Sequence, residues 1–215
     1  MAADDEITYF NPWAEIQRSG HDLPHWQQLG ATYFITFRMA DALPATLRAR
    51  LAEEKSCWLE QHAEPWDEAT TLEYHQRFSG AVESGLDAGH ESCFLSERLA
   101  RDVVAEALRY FDGDRYVLHS AIVMPNHVHC LVSLCRGALL EDVLHSWKSF
   151  SAHRIVERFP AAPNPFWQAD YFDRLVRDAK HFASCVRYIR KNPNKARVKG
   201  SNYDLYEGEL ARRVE

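Results

Sequence analysis

The chain has 215 residues, 46% of them hydrophobic, and a formal net charge of −6. That is enough apolar material for one domain with its own core, so no staple is needed to fold it. No apolar run approaches the roughly 20 residues of a membrane span, and the Met1–Glu6 start lacks the basic residues of a signal peptide, so the expected location is cytoplasmic, with no membrane partner.

Residues 1–22 read as an N-terminal arm. After a turn-like Leu29-Gly30, the segment Thr32–Arg38 is dense in β-branched and aromatic residues and predicts a first strand. Residues 43–92 form a polar, acidic excursion, and between Ala52 and Ser92 Glu53, Glu54, Glu60, Glu64, Asp67, Glu68, Glu73, Glu83, Asp87 and Glu91 are opposed only by Lys55 and Arg77. A helical pattern covers Ala45–Gln61, and the end is turn-rich, with Gly80, Gly85 and Gly89. This stretch reads as an insertion, its charge as a solvated surface. From Ser96 to Phe111 the apolar residues fall at helical spacing and stop at Asp112-Gly113.

Arg115–Met124 then reads as a strand, Pro125-Asn126 as a tight connection, and His127–Leu134 as the hairpin partner. Leu139–Arg158 carries a helical stripe that includes Val143, Leu144, Trp147 and Ile155, before a proline-rich breaker at 160–165. A short extended segment, Phe166–Phe172, follows. Ala179 to about Lys191 predicts a last helix, closed by Pro193, and residues 201–215 read as a tail. Cys57, Cys93, Cys130, Cys135 and Cys185 form no C-x-x-C pair and read as reduced, mostly buried thiols.

The order β-α-β-β-α-β predicts an α+β, ferredoxin-like (split βαβ) domain over residues 23–200, an antiparallel sheet with two helices on one face. In that topology the first and third strands are central, and the last helix is free to cross the open face. Whether it crosses its own sheet or a partner's is undetermined, so both a monomer and a homodimer fit.

The most telling residues are His127 and His129. Side chains two apart on a strand share a face, so the two imidazoles stand side by side on a central strand and could ligate one ion. In the last helix Tyr188 and Asn192 are four apart and also share a face. The Asn192 carbonyl could complete a mixed nitrogen and oxygen site with open positions, which suits a hard divalent ion better than structural zinc. A tyrosine beside such a site points to phosphodiester chemistry with the phenol as nucleophile, whereas water as nucleophile gives simple hydrolysis. The basic C-terminal region supplies Lys148, Arg174, Arg187, Lys191 and Lys195 as candidate contacts to DNA phosphates. Each feature alone has a plainer reading: hydrogen-bonded histidines, a packing tyrosine, a solvated basic face. A non-catalytic nucleic-acid-binding sheet is therefore a rival, as is a hydrolytic metal-dependent nuclease.

Together the motifs resemble a known family. Met124-Pro125-Asn126-His127-Val128-His129 resembles the histidine-hydrophobic-histidine (HUH) motif of single-tyrosine transposases, and Tyr188-Ile189 with Asn192-Pro193-Asn194-Lys195-Ala196 resembles their tyrosine-helix signature. Within that superfamily the chain looks most like the REP-associated tyrosine transposases. His145-Ser146-Trp147-Lys148-Ser149-Phe150 and Phe166-Trp167-Gln168 add to the likeness, as do Leu23-Pro24-His25 and Tyr171-Phe172-Asp173-Arg174. The resemblance implies a ferredoxin-like core, Mg²⁺ or Mn²⁺ without a nucleotide cofactor, and single-stranded or hairpin DNA as substrate. By motif it makes His127, His129 and Asn192 metal ligands and Tyr188 the nucleophile. Asn194 and Arg197 stand where the signature commonly has an apolar residue and a glycine.

Overall fold

In the computed structural model the described residues are 7–19, 25–63, 66, 68–89, 92–198, 200 and 202–215. Of the residues singled out above, Met1–Glu6, Leu23, Pro24, Glu64, Asp67 and Glu91 lie outside them. A short antiparallel pair, β1 (Gln17–Ser19) with β2 (His25–Gln27), precedes the long strand β3 (Thr32–Arg38). Next come α1 (Ala45–Gln61), α2 (Glu68–Tyr74), a π-helical turn at His75–Ser79 and α3 (Gly80–Ala88). They are followed by α4 (Arg98–Tyr110), β4 (Tyr116–Val123), β5 (His127–Leu134) and α5 (Leu140–Arg158). The rest is β6 (Phe172–Leu175), α6 (Ala179–Lys195), β7 (Asp204–Glu207) and α7 (Glu209–Arg212).

The main sheet has the order β6-β3-β5-β4-β7, and every neighbouring pair is antiparallel. Its first four strands in chain order take the ferredoxin-like arrangement, which places β3 and β5 inside. Strand alternation divides the core into two layers. Tyr33, Ile35 and Phe37 of β3 share one layer with Val128, Cys130 and Val132 of β5, under α4 and α5. Phe34, Leu131 and Ile122 belong to the other layer, covered by Phe182, Cys185, Val186 and Ile189 of α6. Those α6 side chains recur at helical spacing, and burying each large apolar one contributes about 1.5–3 kcal/mol. The tyrosine helix therefore packs on the sheet of its own chain.

The last helix also departs from expectation at its end. It runs through Pro193 to Lys195, because a proline that close to the terminus disturbs only the final turn. The Val198 N–H donates to the Pro193 carbonyl at 2.9 Å and the Arg197 N–H to that of Asn194 at 3.2 Å, a Schellman ending with Arg197 at φ 52. Asp178 caps the other end, its carboxylate accepting from the His181 N–H at 2.7 Å.

Four other expectations are corrected. The turn-rich end of the insertion is helical, and Gly85 serves packing: a Cβ there would lie 2.7 Å from Leu43 Cδ2 and 2.9 Å from Leu47 Cδ2, so its absence lets α3 close on the start of α1. The fourth core strand is Phe172–Leu175, not Phe166–Phe172, because Phe166 and Trp167 turn into the core and only a Met39–Trp167 bridge forms there. The expected tail adds the edge strand β7 and the short α7, held by Arg190, whose guanidinium donates to Glu207 at 2.8 Å and to the Val214 carbonyl at 2.9 Å. Of the five free cysteines only Cys130 and Cys185 are buried, and Cys57 is exposed.

Candidate active site

On central strand β5, His127 and His129 are 1% exposed and share the face that α6 covers. Their Nε2 atoms stand 3.0 Å apart. Each ring is fixed from behind. The Asn126 Oδ1 accepts from His127 Nδ1 at 2.6 Å, and the Asn126 amide donates to the Leu86 carbonyl at 3.1 Å, tying the hairpin to α3. That leaves the His127 Nε2 lone pair pointing inward. Thr36, opposite His129 in the β3–β5 register, places its hydroxyl 2.8 Å from His129 Nδ1. A hydroxyl donates or accepts, so Thr36 serves either tautomer of His129. Burial pushes the His127 imidazole down to about 3 and that of His129 well below the ordinary range, so both are neutral near pH 7 and able to act as ligands.

From α6, the Tyr188 ring meets His129 edge-on at 5.2 Å and Phe34 at 5.6 Å between centroids. One turn on, the Asn192 amide lies 3.2 Å from His129 Nε2. Tyr188 Oη and Asn192 Oδ1 are both buried without a partner at hydrogen-bonding geometry. Two orphaned oxygens beside two facing imidazoles mark a site built for something further.

The insertion reaches this cluster, which corrects its reading as a purely solvated surface. Asp87 and Glu83, one turn apart on α3, lie 2.8 Å and 3.9 Å from Lys195 Nζ. Lys195 in turn sits 5.5 Å over the Tyr188 ring. Burial first, then the Glu83 and Asp87 carboxylates, raise the Tyr188 phenol above its ordinary range, so it is protonated at neutral pH. The underside of the insertion is apolar: Trp58, Tyr74 and Phe78 form a small core of their own, with Trp66 edge-on to Trp58 at 5.0 Å.

The donor set fits a divalent ion. Two inward imidazole nitrogens 3.0 Å apart are close enough that one ion could be held by both. The two ends of the Asn192 amide are nearly isosteric, and turning it over brings Oδ1 to the place beside His129 Nε2. Among the described residues no three histidine, cysteine or acidic side chains are grouped so that they could hold a metal ion.

Lys195 is the one candidate DNA contact that the fold brings to the histidine and tyrosine cluster. Arg174 lies opposite Phe34 in the β3–β6 register, hence on the same sheet face, with its guanidinium 5.5 Å from the Phe172 ring. Arg187 reaches the Glu215 carbonyl at 3.3 Å, and Lys191 is exposed on α6. Lys148 is on α5, in the opposite layer, where it donates to the Ala169 carbonyl at 2.7 Å. Sequence reading missed Thr36, Asn126, Glu83 and Asp87. Alternation along Thr32, Phe34 and Thr36 and the four-residue spacing of Glu83 and Asp87 were the available signals.

Residues 95–192 match the family described as Transposase IS200 like. That segment holds the histidine pair and the tyrosine-helix signature as far as Asn192, so the resemblance read from them is borne out there. Two solved structures are similar to the chain. One is a REP-associated tyrosine transposase bound to a REP hairpin, at 16% identity, covering 80% of this chain and 71% of that one, with a TM-score of 0.45. The other is a candidate transposase from Deinococcus radiodurans R1, at 15% identity, covering 86% and 98%, with a TM-score of 0.31. No curated protein matches the chain. None of the described helices is long and apolar enough to cross a membrane.

Proposed function

We propose that the protein is a single-tyrosine DNA transposase that cuts and rejoins single-stranded or hairpin, REP-like DNA through a 5′-phosphotyrosine at Tyr188, with Mg²⁺ or Mn²⁺ held by His127, His129 and Asn192. The observation that carries this reading is the meeting, on one sheet face of one chain, of two inward Nε2 atoms 3.0 Å apart, the Asn192 amide and the Tyr188 ring.

Tyr188 Oη attacks phosphorus; an Oη–P bond forms and the bond to the 3′ oxygen breaks. The phenol proton has the Glu83 carboxylate beside it to receive it, and the leaving oxygen takes up a proton to become a free 3′-OH. Thr36 and Asn126 hold the two imidazoles, and the His129 ring and Phe34 confine the phenol from two sides. A divalent ion, when bound, supplies positive charge at a non-bridging oxygen of the scissile phosphate. The phosphotyrosine keeps the energy of the broken bond, so a second 3′-OH reverses the step without a nucleotide cofactor. The apolar α6 layer around the ester keeps water from competing.

The test is a denaturing gel of protein with labelled single-stranded DNA and Mn²⁺. A covalent adduct is expected with the wild type and none with Tyr188→Phe, while both bind DNA. An adduct that persists in Tyr188→Phe, or free cleaved product with no adduct, rejects the proposal; the second outcome points to hydrolysis.

A further inference from the structure

Between the insertion and the β3–β6 edge lies a cavity of about 490 Å³ that the chemistry above does not use. Its size is within the range of about 300–1,000 Å³ typical of small-molecule sites. One wall is aromatic, with Trp66, Tyr74 and Phe78 from the insertion and Phe172 from β6. Cations enter it too: Arg48 from α1 and Arg38 from the end of β3, whose Nη1 is buried without a hydrogen-bond partner. An unsatisfied buried guanidinium nitrogen calls for an acceptor oxygen, such as that of a base or a phosphate.

The cavity also abuts the candidate active site. Thr36 lines it while its hydroxyl stands 2.8 Å from His129 Nδ1, and Glu83 lines it while pairing with Lys195 over the Tyr188 ring. The cavity thus shares Thr36 and Glu83 with the surroundings of the candidate active site. Aromatic faces for stacking, a cation seeking an acceptor and adjacency to a phosphodiester site together match one chemistry, an unpaired nucleotide.

We propose that this cavity is a pocket for one unpaired nucleotide of the DNA strand, adjacent to the scissile phosphate, with its base against the aromatic wall and its acceptor oxygens toward Arg38 and Arg48. The pocket rests on the transposase reading for its substrate but not for its existence. It gives the acidic insertion a task, which is to supply the wall that the sheet edge lacks.

The test uses the full chain and a ten-residue oligothymidylate carrying one 2-aminopurine, with overall binding followed by anisotropy. Stacking in the pocket is expected to quench the 2-aminopurine at least threefold on binding. Ala52→Leu, which fills the cavity from an exposed position of α1, and Arg48→Glu, also at the surface, should each abolish most of the quench while leaving the circular dichroism spectrum unchanged. Free dAMP as competitor distinguishes the sources: if it displaces the oligonucleotide signal at micromolar concentration, the pocket serves free nucleotides and the proposal of a strand subsite is overturned. Equal quenching in the wild type and both variants overturns the pocket altogether. The adduct assay is independent of this one, so an adduct without a variant-sensitive quench sinks the pocket alone, and the converse sinks the phosphotyrosine alone.

Discussion

Lys195 Nζ lies 2.8 Å from Asp87 Oδ2, which pins the helix that carries Tyr188 to the acidic insertion. The side chain of Asp87 is only 14% exposed, so this pair is better shielded than a surface ion pair. Asp87→Asn should destabilise the protein by about 1 kcal/mol in urea unfolding, and Lys195→Met added to it should cost little more. A full additive loss in the double variant would show that the two side chains are not coupled.

Asp87 also helps to raise the Tyr188 phenol, so its loss has a second readout. Removing a nearby negative charge lowers the phenol's pKa. The adduct formation rate of Asp87→Asn should therefore reach any given value at lower pH than that of the wild type. An unmoved or alkaline-shifted rate profile would contradict the electrostatic role.

Divalent ion binding is separable from activity. At about 100 times its dissociation constant, Mn²⁺ should add about 2.7 kcal/mol to unfolding free energy, read as a rise in melting temperature that chelator reverses. His129→Ala should lose that rise. His127→Ala should lose both the rise and DNA cleavage while still binding DNA, whereas loss of DNA binding as well would assign the histidines to the fold.

Arg197 holds a left-handed conformation at φ 52, just past α6, where glycine is favoured. Arg197→Gly should stabilise the protein by about 0.5–1 kcal/mol, since relief of the Cβ clash outweighs the extra freedom of glycine in the unfolded chain. Thermal unfolding of the two proteins decides it; a lower melting temperature in the variant would falsify the strain.

Alkali should unfold the protein through its buried phenols. Burial raises Tyr33, Tyr74 and Tyr116 from 10.0 to about 12. A folded-state value above the unfolded one gives stability that is fully present below about pH 10 and lost as pH rises through about 12. Urea midpoints measured across that window should fall steadily. Tyr116→Phe should start lower, because it strands the Leu108 carbonyl and the Trp147 indole, but decline less steeply.

Sequence reading reached far wherever the deciding physics is local. Strand alternation alone puts His127 and His129 on one face and Val128 on the other, and α-helical periodicity alone puts Tyr188 above Asn192. The β3 and β5 boundaries and the Ala45–Gln61 helix follow from residue patterns within their own spans. It fell short where a distant contact overrides a local signal. Gly85 looks like a turn residue until Leu43 and Leu47 are seen against it, and Pro193 looks like a stop until the Schellman ending is seen beyond it.

The sequence by itself determined the ferredoxin-like order, the paired imidazoles and the tyrosine one turn from an amide, because each depends on spacings of two or four residues. Only the tertiary structure decided that α6 lies on its own sheet, that Thr36 braces His129 across the β3–β5 register, and that Glu83 and Asp87 reach Tyr188 from the far end of the insertion. Those contacts join residues tens of positions apart. They are selected by which apolar faces can be buried together, a competition over the whole chain that no local pattern records.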